Sequence, residues 1–549
     1  MARCRTLGCT GFLWLGFIAC TGGGSQQGFG VSNPGGGGGG GGSTDSRTET
    51  GDNQETDGLS LGSPIDCPNP KSEVAYEEMG ETLGLSGDIN PDRPRIEGGS
   101  ASWADIDEDG DLDILIGYPR QPVRLYRAGP EGFEETQITD TDEHQLLNLL
   151  DIDGDGDRDL LTGVGQFGAQ VLRNDNGDFV LTEIEGISPN SEVAVKEFSS
   201  ADLNQDGRAD LYAVVNDWEM HSDYLVVGKQ DGTFRGAAGK LQANVGTRMG
   251  FDSIWFDWQN DGDMDLYVVN DRGAEFGSSM LLANEGGSLV DASSDCMCGL
   301  THNGMGVDIG DFNRDGLVDL YISATDTSVL LQGAVDGTFI DVTASLGANS
   351  VEQGYDQSLA MSWGAVFLDY DNDGRTDMLV AQGDLQVAAE STDEPGANEE
   401  LPDPIDFPID MLRQKADGSF RELGSSLGLS RAGSFRATIA ADANGDGVLD
   451  LLVTETAGTP KLYLSTGCTA NNWLEVAAPA GTRVEVTADG VTQTDWVTAE
   501  SGYAGSGPLR VHFGLGNATE VEQLTLKLPT GETLEASGFE ARRVVSVLP

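Results

Sequence analysis

The sequence predicts an all-β fold built by repetition, and three observations predict it. An acidic nine-residue loop recurs seven times, beginning at Asp105, Asp151, Asp202, Asp257, Asp311, Asp369 and Asp442. Short aliphatic, aromatic and β-branched runs flank every copy, and helical periodicity is scarce. The spacing leaves about 50 residues per unit, room for four short strands, which is the arithmetic of a propeller blade. The expectation is a seven-bladed β-propeller with calcium-binding loops over residues 67–468, followed by a small β-sandwich over 469–549.

The loop reads Asp-x-(Asp/Asn)-x-Asp-Gly-x-x-Asp, so that positions 1, 3, 5 and 9 carry side-chain oxygens. In the first unit these are Asp105, Asp107, Asp109 and Asp113; in the second Asp151, Asp153, Asp155 and Asp159; in the third Asp202, Asn204, Asp206 and Asp210. The fourth has Asp257, Asp261 and Asp265, with Gln259 at position 3, and the fifth Asp311, Asn313, Asp315 and Asp319. Asp369, Asp371, Asp373 and Asp377 make the sixth, and Asp442, Asn444, Asp446 and Asp450 the seventh.

Alternate positions of a tight loop aim several hard oxygens inward, which suits Ca²⁺ with its six to eight oxygen ligands. Up to seven ions are expected. No loop contains Cys or His, which argues against zinc or copper. An EF-hand is excluded because position 12 holds Ile116, Thr162, Ala213, Val268, Ile322, Val380 or Val453 rather than Glu. An array repeating every nine residues is excluded by the spacing.

A strand precedes each loop, as in Gly304–Gly310, and another follows, as in Leu320-Tyr-Ile-Ser. A third apolar stretch runs into a Gly-x-Phe turn at Phe179, Phe234, Phe339 and Phe420. Loops, strands and turns together resemble FG-GAP/VCBS repeats, known from the calcium-binding propeller of integrin α chains. The resemblance implies the fold and the metal, and leaves the ligand open.

After the seventh loop comes Leu462-Tyr-Leu464 but no Gly-x-Phe strand. The missing piece matches Val74–Leu85, so the N-terminal strand is expected to complete the last blade and cover its edge. An acidic, Pro-containing insertion at residues 384–408 reads as a solvated loop on the sixth blade.

The chain opens with Arg3 and Arg5, an apolar run Gly11–Ala19 and Cys20. This reads as an export signal over residues 1–20, too short to span a bilayer. Phe17-Ile-Ala-Cys20 resembles a bacterial lipobox, which implies lipidation at Cys20 and anchoring in a cell envelope, at the outer membrane or cell surface. Residues 21–66, with eight consecutive glycines and an acidic patch, read as a flexible tether.

The last 80 or so residues change character. Asn472-Trp-Leu-Glu-Val, Leu509-Arg-Val-His-Phe-Gly-Leu-Gly516 and Val521–Lys527 resemble the ASPIC/UnbV domain that follows such repeats in cartilage acidic protein and its bacterial relatives. Two departures stand out: a loop shortened to Pro479-Ala-Gly481, and Leu528-Pro-Thr-Gly531 where Trp-Pro-Ser-Gly is usual.

Four cysteines remain after Cys20, an even number that outside the cytoplasm reads as disulfides. Cys67 lies just before the closing strand and Cys468 just after the last blade's third strand, so a Cys67–Cys468 bridge would staple the ring; Cys296 and Cys298 would pair with each other. A net charge of −60 repels nucleic acid and anionic headgroups. Membrane contact is therefore expected through the lipid alone. His144, His221, His302 and His512 are scattered, and no nucleophile elbow or phosphate loop stands out. The reading is a non-catalytic, exported calcium-binding lipoprotein for surface adhesion or for binding a protein or glycan. The alternatives are a polysaccharide lyase or hydrolase on a calcium-stabilised propeller, and a structural subunit of the envelope.

Overall fold

The computed structural model describes residues 54–56, 58–85, 99–118, 121–139, 146–163, 168–187, 193–216, 221–349, 361–383, 407–429, 433–456 and 458–548. The signal, Cys20, most of the tether and most of the 384–408 insertion lie outside them. Nearly all regular structure is strand.

Seven antiparallel four-stranded sheets follow one another among the described residues. The first sheet runs Ser100–Ala104, Asp113–Gly117, Arg124–Arg127 and Glu134–Gln137 in spatial order. The inner strand of each sheet packs on that of the next, and the seventh, Phe435–Ala441, returns to the first, which closes a propeller. Inner and second strands are buried on both faces, as in Ile114 and Leu115, because neighbouring blades cover both sides. Tyr212, Tyr267 and Tyr321, from the Asp-Leu-Tyr runs, fill the space between blades.

Polar side chains on the inner strands tie blade to blade. Glu197 accepts the N–H of Ser253 at 2.7 Å, Asp252 that of Val307 at 2.8 Å, and Asp308 that of Phe367 at 2.7 Å. Closure uses the N-terminal segment as expected: Tyr76–Glu78 pairs with Lys461–Ser465, matching Tyr76 to Ser465 and Glu78 to Tyr463. Cys67 and Cys468 are bonded with Cα atoms 6.0 Å apart, and Cys296 and Cys298 are bonded as well.

The C-terminal region forms two main sheets sharing one core, with a short two-stranded sheet of Glu520–Val521 and Phe539–Glu540 beside them. Asn472–Ala477, Arg510–Gly516 and Arg543–Val547 belong to one sheet, and Arg483–Ala488, Val491–Trp496, Gln523–Lys527 and Thr533–Ala536 to the other. The tether was expected to reach residue 66, but Leu59–Leu61 pairs with Arg543–Val547, and Gln54–Thr56 pairs with Leu59–Leu61 in turn. Leu59 and Leu61 sit in the sandwich core, where two leucines with polar neighbours find the apolar partner that local composition did not reveal.

Candidate metal centre

All seven acidic loops are hairpin connections between inner and second strand, in one register. Position 9 pairs with the residue just before position 1: Ala104 with Asp113, Leu150 with Asp159, Ala201 with Asp210, Phe256 with Asp265, Gly310 with Asp319, Leu368 with Asp377 and Ala441 with Asp450. All loops therefore open on the same face of the ring.

Two residues per loop adopt left-handed backbone and set its curvature. Position 4 does so whatever its identity (Glu108, Gly154, Gln205, Asn260, Arg314, Asn372 and Gly445), and position 6 is glycine throughout. Non-glycine residues in that region carry a strain that surrounding bonds must hold. Here position 1 supplies them: Asp311 accepts the N–H of Asp315 at 2.9 Å and of Gly316 at 2.8 Å, and Asp202, Asp257, Asp369 and Asp442 bind their loops the same way.

Position 9 is more deeply engaged than its expected role of closing a ligand shell. Asp113 accepts from Ile106 at 3.2 Å and from Ala128, beyond the third strand, at 2.7 Å. Asp159, Asp265, Asp319, Asp377 and Asp450 repeat both bonds, while Asp210 accepts from Gly228 and from the Asn204 side chain. This aspartate holds the loop to two strands of its blade. Burial pushes Asp113 and Asp265 up to about 7, and Asp105, where burial outweighs a backbone hydrogen bond, up to about 6. A proton or a cation must offset that desolvation.

Three loops bring carboxylates close enough to share one ion: Asp105, Asp107 and Asp109; Asp151, Asp153 and Asp159; Asp369, Asp371 and Asp377. These are loops in which all four ligand positions are aspartate. Asp105 Oδ1, Asp107 Oδ1 and Asp371 Oδ1 are buried and lack a hydrogen-bond partner, which fits a site for a hard cation. In loops three, four, five and seven, position 3 is Asn or Gln. Asn204 bonds Asp210 and Asn313 bonds Asp315, so these loops are partly satisfied internally.

Arginines near the loops were missed at the sequence level. From the end of the third strand, Arg127 lies 3.6 Å from Asp107, Arg173 pairs with Asp153, and Arg413 lies 2.7 Å from Asp371 and 3.0 Å from Asp373.

The C-terminal domain docks on this same loop face. His512 Nε2 is 2.7 Å from Asn372 Oδ1, Gly516 donates to the Asn372 carbonyl at 2.9 Å, and Asn471 donates to the Asp371 carbonyl at 2.8 Å. Arg483 donates to Gly316 O and Asn260 Oδ1. Burial pushes His512 down to about 4 and so keeps it neutral, stacked on Trp473. His302 lies 3.8 Å from Asp326, away from the loops.

A segment of that domain also fills the centre of the ring. Trp103 donates to Ser506 O at 2.9 Å, Leu147 to Ala504 O at 3.4 Å, Thr438 to Gly502 O at 3.1 Å and Ser200 to Glu500 Oε1 at 2.8 Å. The donors belong to the inner strands of four blades. Tyr503 packs against Phe251 and Trp363 in the middle. The signal for this plug lay in the small residues of Ser501-Gly-Tyr-Ala-Gly-Ser-Gly507, which permit close backbone approach.

A ring of four-stranded sheets with one carboxylate loop per blade defines the class: an all-β repeat propeller with acidic hairpin loops. The FG-GAP-like repeat family matches residues 105–162, 151–213, 202–268 and 257–322, and the ASPIC and UnbV family matches residues 476–548. The chain thus carries FG-GAP-like repeats over residues 105–322 and a C-terminal ASPIC and UnbV domain over residues 476–548.

Comparison with curated proteins gives no match. Among solved structures it is similar to an Agrocybe aegerita lectin that recognises non-reducing terminal N-acetylglucosamine, at 17% identity and a TM-score of 0.38, covering 60% of this chain and 81% of the lectin. A rhamnogalacturonan lyase of Bacillus licheniformis matches at 12% identity and TM-score 0.36, over 68% of this chain and 72% of the enzyme. BBS1N, in complex with ARL6DN, matches at 9% identity and TM-score 0.40, over 71% and 96%.

Proposed function

We propose that this protein is an exported, calcium-loaded binding protein without catalytic activity, tethered to a cell envelope through lipidated Cys20. FG-GAP-repeat proteins are commonly extracellular or surface-associated, and no described helix is long and apolar enough to cross a membrane. The observation that carries the calcium reading is the set of buried, unpartnered oxygens on Asp105, Asp107 and Asp371, within loops whose other carboxylates are fixed by backbone N–H groups. An ion there would be held by side chains at positions 1, 3 and 5 in the first loop, and at positions 1, 3 and 9 in the second and sixth. It would neutralise carboxylates that otherwise repel one another beneath the docked C-terminal domain.

Binding rather than catalysis is supported by the plug. With Glu500–Gly507 occupying the ring centre, a partner meets the blade edges and rims rather than a channel. The partner class remains a protein or glycan ligand outside the cell; the charge of −60 disfavours nucleic acid.

Thermal unfolding with and without a calcium chelator tests the reading. Calcium should raise the melting temperature well above an ionic-strength control, and magnesium should restore it poorly. Equal melting in all conditions would refute it.

A further inference from the structure

We propose that Arg127, Arg173 and Arg413 are charge-balancing partners of the position 3 aspartates, so that the ligand positions of all seven loops, counted with this third-strand residue, present the same charge to an ion. The inference rests on the calcium reading above and concerns how the chain tunes its sites.

The residue in question is the last one before the N–H that position 9 captures. Ala128, Asn174, Gly228, Asn284, Gly333, Gln414 and Ser465 make that hydrogen bond, so the preceding residues are structurally equivalent. They are Arg127, Arg173, Val227, Ala283, Gln332, Arg413 and Leu464. Arginine stands there in the first, second and sixth blades, the ones in which position 3 is Asp rather than Asn or Gln. A fourth carboxylate and a third-strand arginine come together, and both are missing together.

The contacts match the pattern. Each arginine reaches position 3 of its own loop through the same carboxylate oxygen: Asp107 Oδ2, Asp153 Oδ2 and Asp371 Oδ2. In two of the three, the other oxygen is the buried one left without a partner. The guanidinium takes one side of the carboxylate and leaves the other for a metal, a division that a planar, fixed fork performs better than a mobile ammonium. Arginines within the loops do not follow this rule. Arg375 reaches Asp373 and Arg208 reaches Asp206, the latter in a loop with Asn204 at position 3.

Four carboxylates with one guanidinium, and three carboxylates without one, carry the same sum. A divalent ion then leaves equal residual charge over the ligand positions and third-strand residue of every loop. Without the arginine, the four-carboxylate loops would repel more strongly when empty and attract an ion more strongly when filled.

The test compares wild type with R127Q/R173Q/R413Q and with the same variant carrying D107N, D153N and D371N, by calcium calorimetry and by melting in chelator. Removing the arginines should lower the chelator melting temperature and tighten calcium binding at three sites, on the order of tenfold. Adding the three asparagines should return both readings to near wild type. Weaker calcium binding in the arginine variant, no change in either reading, or no recovery in the six-substitution variant would overturn the proposal. Should the arginine variant not fold, the fifth loop supplies the reverse experiment: Asn313→Asp should lower melting in chelator, and added Gln332→Arg should restore it; no restoration overturns the proposal. Wild type that binds no calcium refutes the calcium reading and this proposal together, whereas calcium binding indifferent to the arginines refutes this proposal alone.

Discussion

His512 Nε2 lies 2.7 Å from Oδ1 of Asn372, the left-handed residue of the sixth acidic loop. That contact joins the C-terminal domain to a metal loop through a side chain 140 residues away in sequence. A few residues on, Gly514 passes directly over Asp369, the position 1 aspartate, so closely that a Cβ there would overlap its carboxylate.

Gly514→Ala should therefore separate the domain from the sixth loop. Backbone on one side and the Asp369 carboxylate on the other leave no room to yield, so a loss of about 1–3 kcal/mol is expected. Denaturant unfolding would measure it. Protease cleavage within residues 498–508 should increase in parallel, because the plug is anchored by the same domain.

The plug makes stability depend on pH. Burial pushes Glu500 up to about 7, despite the N–H of Ser200 donating to it, and Asp308 and Asp495 are raised by burial too, to about 8 and about 7. A raised folded-state pKa means the fold favours the protonated form. The Glu500 contribution is complete below its ordinary value near 4.5 and is lost as pH rises through about 7. Glu500→Gln keeps an acceptor oxygen for Ser200 without the charge. At pH 8 the variant should be more stable than wild type by on the order of 3 kcal/mol at most, and the difference should vanish near pH 4. Melting curves at fixed calcium across that range would show it.

The proposed lipid anchoring is tested at Cys20. Cys20→Ala should move the protein from the membrane fraction to the soluble fraction, with melting of the folded domains unchanged. Retention in membranes would show another means of attachment.

The sequence by itself determined the repeat, the hairpin loops and the closing strand. Each is specified locally: Asp at position 1 and Gly at position 6 set a turn, and alternate carboxylates need no distant partner to be recognised. The Cys67–Cys468 pairing was legible because both cysteines flank strands whose pairing followed from the repeat itself. What only the tertiary structure decided depends on surfaces that meet across the chain. Leu59 and Leu61 look like part of a polar tether until the Arg543–Val547 strand gives them a core to enter. Asp113 and its equivalents read as ligands from the loop pattern, and only the fold shows that they also accept backbone N–H groups from two parts of their blade. Apart from its small residues, the plug at Glu500–Gly507 carries no repeat pattern to announce it, since its hydrogen bonds go to inner strands far earlier in the chain. Local chemistry fixes a loop wherever it occurs, whereas burial is decided by what the rest of the chain places against it.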